Sequence, residues 1–455
     1  MLSTDDVIEM VVGKPFEIDC PDIQVLGIRD SDFRLYKGPG VIVGAKRGPI
    51  SFRLHNQIDM SAGALESMRP IEHGKLGAPV NQVRVFAKDY SGIDWIGGWA
   101  VPNIEYARTS QFMVSGDFSQ LSTDIQKSEN DKKTDVTEIV FADKLNLPMT
   151  QVVEEKRLRG DEIILSRTWR DRHELDFNGA RIEFFESSSA DRTHIIAEHK
   201  GGLEPPYCEV WLAEALGFIR ARLAYPRIAI RHLEKDALVF IRNTPGDTRS
   251  AMLGPILGPP SVSLLLWNLY SAYLAECVKH QKYGSMELTQ VLDEVTIAST
   301  GTLQAFVLSL AVCVENLVNK LSKEISIDVP DSETITSLIE HMDQWEGAAD
   351  VKERTRRMLP SLGNVPAQAS LRVLRDQGVI EDKHIKAWSK IRNTLAHGGM
   401  VEYPLSPDLW EKRNTLISMV YRLVLRIIEY RGPVTDHSTG NLIQFDWNLV
   451  GPSSI

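Results

Sequence analysis

The sequence predicts an α+β protein, with an N-terminal antiparallel β-rich domain followed by a C-terminal all-α helical bundle. Three observations support this prediction. Up to about residue 200, short runs of β-branched and aromatic residues alternate with Gly, Pro, Asn and Asp. The stretch Gly-Gly-Leu-Glu-Pro-Pro at 201–206 then interrupts any regular element. From about residue 260 to Gly432, apolar residues recur at helical spacing.

The N-terminal part contains several predicted strands. Phe52 and Leu54 alternate with Arg53 and His55, the period of two expected of a sheet with one solvated face. We therefore expect an antiparallel sandwich or a folded sheet. Polar residues dominate 121–133, and we interpret that segment as a solvated loop. The clearest predicted strands lie at 23–28, 41–43, 83–87, 162–168, 181–185 and 193–197.

The breaks in the sequence divide the chain into four predicted parts. Residues 1–203 form the β-rich domain, and residues 204–298 a mixed α/β connector with one helix and a two-stranded return at 228–230 and 238–241. Residues 299–432 form the helical domain, and residues 433–455 a C-terminal tail.

The helical domain is predicted from a broad apolar stripe and from stop signals. The stripe runs along one helix that should be the core of the bundle. Further helices are expected at 331–345, 367–377, 383–397 and 408–430, with Gly378 and Gly398 as C-terminal stop signals. The stripe consists of Leu303, Phe306, Val307, Leu310, Val314, Leu317, Val318 and Leu321.

Composition excludes several classes of protein. The chain has 455 residues, 43% of them hydrophobic and 25% charged, which is typical of soluble proteins. Its net charge of −10 means that any attraction to nucleic acid must be local. The four cysteines form no Cys-x-x-Cys pair, which favours reduced thiols. The acidic start, with Asp5 and Asp6, is not a secretory signal, and no apolar stretch looks long enough to span a membrane. A cytoplasmic location is therefore expected.

One segment near the C-terminus contains side chains that could take part in catalysis. In Arg392-Asn393-Thr394-Leu395-Ala396-His397, Asn393 and His397 share one helix face, because they are four residues apart. Arg392 and His397 differ by about 140° around an ideal helix. Both can reach one phosphate only if the helix ends or bends near His397, and Gly398-Gly399 predicts that end.

A histidine and an arginine beside a phosphodiester can together supply proton transfer and charge stabilisation without a metal. The imidazole can take or give a proton near neutral pH. The guanidinium can hold two phosphoryl oxygens and stabilise the added negative charge as a 2′-hydroxyl attacks. His397 in a last helical turn would face the negative end of the helix dipole, which favours the protonated form expected of a general acid.

The Arg-Asn-x-x-x-His pattern resembles the signature of the HEPN superfamily. The likeness covers about residues 300–432, and the β-rich front half followed by this bundle resembles the ApeA-like branch of phage-defence proteins. The resemblance implies a polar or acidic residue in the otherwise apolar stripe of the preceding bundle helix, and Glu315 supplies it. It also implies a homodimer formed through the helical domain, in which two motifs build one composite endoribonuclease site without metal or cofactor.

The resemblance further assigns roles to these residues. Arg392 would bind the scissile phosphate, His397 would transfer protons, Asn393 would orient His397 or the phosphate, and Glu315 would position Arg392 by an ion pair. Cleavage would leave a 2′,3′-cyclic phosphate. By the same analogy, the β-rich domain would be a sensor or regulator whose trigger comes from a phage, and growth arrest would be the output.

A local excess of basic residues accompanies the motif. Between Lys352 and Arg392 ten Lys and Arg face four Asp and Glu, a formal charge of +6. Such a patch can steer RNA, with Lys390, Arg354, Arg356 and Arg357 as the expected contacts. The alternative interpretation is an ordinary solvated helix surface.

Other interpretations of the chain stay open at this stage. Arg392 can be a surface ion-pair partner, Asn393 a solvated residue and His397-Gly398 an ordinary helix end. The bundle can also be a non-catalytic module that binds RNA, a nucleotide or a protein. A third class is a metal-dependent hydrolase that uses histidines of the front half. His194 and His199 are the obvious pair, but their odd separation predicts opposite faces of a strand.

Overall fold

The structure, a computed structural model, forms two compact units. The first unit comprises Met1–Glu214, Ala224–Thr248 and His280–Gly284, and the second comprises Ala215–Leu223, Arg249–Lys279 and Ser285–Ile455. The structure describes residues 2–27, 34–57, 82–106, 111–127, 133–159, 162–187, 191–244, 251–258, 263–279, 284–325, 330–363, 366–396 and 407–447.

The first unit is built on one antiparallel sheet of fifteen strands. Helix α1 (Thr4–Val11) precedes the sheet, and Ser3 caps it by accepting a hydrogen bond from the Asp6 amide. The order of the strands in the sheet is β10-β11-β12-β13-β9-β14-β15-β8-β5-β4-β1-β2-β3-β7-β6. The strands are β1 (Phe16–Gly27), β2 (Arg34–Gly44), β3 (Ile50–Gln57), β4 (Val83–Lys88), β5 (Asp94–Ala100), β6 (Asn103–Tyr106), β7 (Gln111–Phe118), β8 (Gln120–Gln126), β9 (Val136–Phe141), β10 (Gln151–Arg159), β11 (Glu162–Phe177), β12 (Ala180–Ser187), β13 (Arg192–Glu198), β14 (Ile228–His232) and β15 (Asp236–Arg242).

The predicted alternation in this sheet is confirmed. Phe52 and Leu54 on β3 are buried, whereas Arg53 and His55 are exposed. Phe52 stacks on Phe118 of β7 with ring centroids 5.2 Å apart. Strand β5 contacts β7 as well as its neighbours in the sheet, so the sheet folds over its own apolar face. The fold class, α+β with a β-rich N-terminal part and a helical C-terminal part, is confirmed.

Two expectations for the front half differ from the structure. The predicted loop at 121–133 begins with strand β8, because Leu121, Thr123 and Ile125 point into the core while polar residues face outward. The two-stranded return is present as β14 and β15, but it lies inside the large sheet between β9 and β8. Residues 204–298 therefore do not form a unit by themselves, and the boundaries of the compact units differ from those expected at 203 and 298.

A fully buried arginine joins three segments of the first unit. Arg227 donates to the carbonyl oxygens of Val11 (3.4 Å), Ala45 (2.9 Å) and Arg242 (2.8 Å). Its guanidinium lies over the Phe16 ring, 5.5 Å from the centroid. Burial lowers the pKa of Arg227 to about 10, so the group is still charged at neutral pH. The guanidinium thus donates to backbone oxygens at the end of α1, after β2 and in β15, and it ties these segments together.

A buried carboxylate on β9 is surrounded by cationic or potentially cationic groups. Glu138 Oε1 lies 2.8 Å from His194 Nδ1, and Oε2 accepts from Lys133 Nζ at 2.7 Å. His232 Nε2 is 3.4 Å from Oε2. Burial raises the pKa of Glu138, but the hydrogen bond with His194, the nearby His232 and the charge of Lys133 outweigh burial and hold this pKa well below its ordinary value.

The depressed pKa of Glu138 predicts an acid-sensitive contribution to stability. A carboxyl group whose pKa is lowered by folding stabilises the protein above the unfolded-state pKa of about 4.3, and this stabilisation is lost as pH falls through the folded-state pKa. We expect Glu138→Gln to lower the free energy of unfolding of the first unit by about 2 kcal/mol at pH 7, with a smaller difference at pH 3. Denaturant titrations at both pH values measure this difference. The exposed Glu17→Gln is the control, and a difference independent of pH would contradict the prediction.

The second unit is a helical bundle with a small β-hairpin. Helix α2 begins at Cys208 in the first unit and ends at Arg220 in the second unit. A 3₁₀ turn (Leu359–Gly363) follows α7. The expected tail begins with the hairpin strands β16 (Gly432–Asp436) and β17 (Asn441–Phe445). The helices are α2 (Cys208–Arg220), α3 (Ser263–Lys279), α4 (Glu287–Ala298), α5 (Leu303–Ser322), α6 (Ser332–Gln344), α7 (Ala349–Met358), α8 (Ala367–Asp376), α9 (Asp382–Ala396) and α10 (Pro407–Ile427).

Helix α5 is the core of the bundle, as predicted. Every residue of the expected apolar stripe is buried, and α5 contacts α4, α8, α9 and α10. Among the described helices, α5 alone has the length and apolar composition to cross a membrane, and half of its apolar window is buried inside the protein. Such burial is typical of a bundle core, and the described residues do not mark the chain as a membrane protein.

The other sequence-based expectations for this half are largely met. Gly378 follows α8 with φ +79°, and its amide donates to the Arg375 carbonyl, which confirms the stop signal. Gly398 lies outside the described residues. All four cysteines are free, in agreement with the expected reduced thiols, and the structure shows that they are also buried. Burial raises the pKa of Cys20 and of Cys208 to about 12.

Candidate functional site

Helix α9 carries most of the candidate site and lies on α5 through its apolar face. Ile385, Trp388 and Ile391 are buried, because their spacing of three places them on one side of the helix. The indole Nε1 of Trp388 donates to the Ala311 carbonyl of α5 at 3.3 Å. The side chain of Leu395, the fourth predicted member of this face, lies outside the described side chains.

A network of charges holds the beginning of α9. Glu381 pairs with Arg422 of α10 at 2.7 Å, and Lys383 pairs with Asp436 of β16 at 3.1 Å. Burial raises the pKa of Asp436, but hydrogen bonds from Ser438, Lys383 and Ser418 outweigh it and lower this pKa well below its ordinary value. This network cannot be recognised from the sequence, because its partners are remote along the chain.

A buried histidine completes the start of α9. His384 Nδ1 accepts from the Glu381 amide at 2.9 Å. Burial, reinforced by Arg422, lowers the pKa of His384 to about 4. The imidazole is therefore neutral near pH 7, and it acts as a cap of the first helical turn rather than as a proton donor.

The arginine of the motif is fixed by contacts with both helices. Arg392 Nε donates to Glu315 Oε1 of α5 at 2.5 Å, and its guanidinium lies over the Trp388 ring, 5.5 Å from the centroid. The expected ion pair between Glu315 and Arg392 is thus present. The spacing of Trp388 predicts only a member of the apolar face, and its second role as a platform for this arginine becomes visible in the structure.

This pair is positioned to meet a ligand in solvent. The Arg392 side chain is 52% exposed and that of Glu315 36%. The ion pair uses Nε, and no hydrogen bond joins the two terminal amino groups of the guanidinium to a described residue. Two terminal amino groups have the fork geometry that matches two phosphoryl oxygens. The arrangement can therefore bind a phosphodiester at the surface of the bundle.

The other two members of the motif are only partly described. Asn393 is exposed beside Arg392. Helix α9 is described as far as Ala396, and His397 and Gly398 lie outside the described residues. The predicted approach of His397 to Arg392 at a helix end stays a prediction.

The predicted RNA-contacting residues lie on two helices. Lys390 of α9 is exposed, with Nζ 3.6 Å from Asp408 of α10. Arg354, Arg356 and Arg357 are exposed on α7, which contacts α6 and the 3₁₀ turn and has no buried residue. Arg356 lies 3.6 Å from Asp343, and Arg357 pairs with Glu353 at 2.8 Å.

Carboxylates neutralise much of the basic patch. Six of its ten cations have a carboxylate within 4 Å, and several of these carboxylates lie outside the segment 352–392 that gave the formal +6. The patch is therefore weaker than the count along the sequence indicated. The six are Arg356, Arg357, Arg375, Lys383, Lys390 and Arg392.

The histidines of the front half contact different groups. His194 faces Glu138, whereas His199 Nε2 lies 2.8 Å from Thr137 Oγ1. Since Thr137 and Glu138 are adjacent on β9, the two histidines lie on opposite faces of the sheet, as predicted. Within the described ranges, no three His, Cys, Asp or Glu side chains are placed to hold a metal ion together.

The chain was compared with family models, curated proteins and solved structures. None of these comparisons gave a significant match.

Proposed function

We propose that the protein is a metal-independent endoribonuclease of the HEPN type. The observation that carries the proposal is the exposed guanidinium of Arg392, held between Glu315 and Trp388 near the end of α9. Asn393 and His397 follow it in the sequence. A held and solvent-facing guanidinium is suited to stabilise a transient phosphorane, and a histidine five residues further along the chain can supply the proton transfer.

The proposed reaction needs one phosphate ligand and one proton-transfer group. The RNA 2′-hydroxyl attacks the neighbouring phosphorus, and the bond from phosphorus to the 5′-oxygen breaks. Arg392 binds two phosphoryl oxygens and stabilises the added charge. His397 supplies a proton to the departing 5′-oxygen, while the proton of the 2′-hydroxyl passes to solvent water, which afterwards reprotonates the imidazole. Asn393 orients the imidazole or the phosphate. The products are a 2′,3′-cyclic phosphate and a 5′-hydroxyl.

A homodimer would place two such motifs together. Leu308 and Val312 of α5 are each 46% exposed, and they share a helix face with Glu315 because the spacings are four and three residues. An exposed apolar strip next to a charged site favours a protein interface there. We propose that the second copy covers this strip, so that both Arg392 residues line one RNA channel.

The biological role that follows is antiphage defence in the cytoplasm. The buried free thiols fit a reducing compartment. The first unit is proposed as the sensor whose phage-derived trigger releases the nuclease, with growth arrest as the result. The support for this step is the analogy with ApeA-like proteins and not a contact in the structure.

A cleavage assay in excess EDTA tests the proposed activity. The native chain and His397→Ala are incubated with total cellular RNA, and the new ends are mapped. We expect the native chain to cut and leave 2′,3′-cyclic phosphates, and we expect His397→Ala to be slower by at least about 100-fold. Arg181→Ala is the control, since this arginine of the first unit is also exposed and ion-paired.

The outcomes of this assay separate the two functions that fit the bundle. Cleavage that stops in EDTA, or that persists in His397→Ala, contradicts the proposed mechanism. Tight binding of RNA without cleavage, also in the presence of phage lysate, would favour the non-catalytic RNA-binding module.

A further inference from the structure

The outer face of the sheet in the first unit contains an open pocket of about 440 Å³. It crosses four adjacent strands, in the order β15, β8, β5 and β4. Its volume lies within the range of roughly 300–1,000 Å³ that small-molecule sites occupy in proteins. The residues that line it include Arg84, Ile96, Gly98, Trp99, Gln120 and Arg242.

Strand register places these residues in one row across the sheet. Gln120 of β8 is paired with Gly98 on one side and with Arg242 on the other. Arg84 of β4 lies opposite the bulge formed by Gly98 and Trp99, since Val83 pairs with Ala100 and Val85 with Gly97. At about 4.8 Å per strand, the two arginines stand roughly 14 Å apart with Gly98 between them.

The backbone at this bulge presents a tryptophan to solvent. Trp99 has φ +58°, a left-handed conformation that costs a non-glycine residue about 1 kcal/mol or more. Its side chain is 55% exposed, although tryptophan is usually well buried. Bulges of this kind re-aim side chains and occur often at binding sites. The fold therefore keeps a flat aromatic surface at the rim of the pocket.

The electrostatics of the pocket favour an anion. Two arginines and no Asp or Glu are among the described residues that line it, in a chain of net charge −10. Arg242 is paired with Glu209 at 3.0 Å. No carboxylate of the described part pairs with Arg84, so the Arg84 guanidinium is the stronger anion ligand.

We propose that this pocket binds a nucleotide, with the base stacked on Trp99 and the phosphate held by Arg84. Base stacking on an aromatic side chain and phosphate binding by a guanidinium are the two contacts that these residues offer together. Gly98 forms the floor, because a Cβ at this position would meet no heavy atom within 4 Å. The absence of a side chain there leaves the space that the ligand needs.

Calorimetric titration of the full chain tests the proposal. The probes are the four nucleoside 5′-monophosphates, the matching nucleosides and inorganic phosphate. We expect at least one monophosphate to bind with a Kd below about 1 mM, and its nucleoside and phosphate alone to bind at least about tenfold more weakly. The readout is independent of RNA cleavage, so it tests the pocket and not the proposed ribonuclease.

Substitutions locate the binding in this pocket. Gly98→Leu fills open space without a backbone clash, and we expect it to weaken binding at least about tenfold, as should Arg84→Gln. The exposed Arg53→Gln on β3, outside the pocket, is the control and should change affinity less than about twofold. Thermal melts verify that each variant is folded.

Three results would overturn the proposal. The first is that no monophosphate binds up to about 1 mM. The second is that folded Gly98→Leu binds the monophosphate with unchanged affinity. The third is that single-stranded RNA binds to the native chain and more weakly to Arg84→Gln, while no monophosphate competes with it. The last result would assign the pocket to a polymer.

Discussion

Replacing Arg392 by alanine should slow RNA cleavage by about 100-fold or more while leaving the fold intact. Loss of one group that stabilises charge in a transition state typically has an effect of this size, about 3 kcal/mol. The stability of the second unit should change by less than about 1 kcal/mol, because the pair with Glu315 is exposed to solvent and screened. Single-turnover rates and denaturant unfolding of the same samples measure the two effects.

Two further variants, Arg392→Lys and Glu315→Gln, make this test more specific. Arg392→Lys keeps the charge but loses the fork, and it should recover little of the activity. Glu315→Gln should lower kcat by about tenfold with a smaller change in KM, because Glu315 acts by positioning Arg392. Arg181→Ala removes an arginine with nearly the same exposure, 53%, and should have no effect. Equal losses of activity and stability would assign Arg392 a structural role only.

Replacing Arg227 by methionine should destabilise the first unit by about 4 kcal/mol. Methionine has a similar length but no donor, so the carbonyl oxygens of Val11, Ala45 and Arg242 would lose the hydrogen bonds that the guanidinium donates in a buried or part-buried site. Lysine cannot reach all three acceptors with one ammonium group, and Arg227→Lys should lie between the native chain and Arg227→Met.

Hydrogen exchange is the suitable measurement for Arg227, because it reports the loss of stability strand by strand within the first unit. Protection should fall across β1, β2 and β15 and stay unchanged in α5 and α10. Arg53→Met, on the exposed face of β3, is the control. Unchanged protection in the first unit would show that water or a shifted backbone replaces the guanidinium.

The parts of the fold that the sequence predicted are those that depend on local periodicity. The alternation in β3 and the stripe of α5 can be recognised from neighbouring residues alone. Strand β8 has the same alternation, but its outward positions hold Ser122, Asp124 and Gln126, so the polar composition concealed it. Arg227 could not be predicted as a core residue, because its acceptors lie up to 216 residues away.

In the candidate site, too, only the features that depend on local spacing could be predicted from the sequence. The side of α9 that faces α5 follows from its spacing, whereas the pairing of Glu315 with Arg392 joins residues 77 positions apart and was expected only from the family resemblance. Nothing local in the sequence indicates that Trp388 supports Arg392, or that Glu381 and Asp436 fix the start of α9. The left-handed backbone of Trp99 depends on the bulge between β4 and β5, and single-residue patterns do not report on bulges.

The placement of β14 and β15 inside the sheet has a consequence for synthesis of the chain. Strands β8 and β9 are close along the chain, yet the β14–β15 pair separates them in the sheet. A nascent chain that has emerged only as far as residue 203 therefore has two open strand edges, one on β8 and one on β9, and open edges are templates for aggregation. The two edges are paired only after residues 228–242 have left the ribosome, because β14 and β15 then occupy the position between β9 and β8.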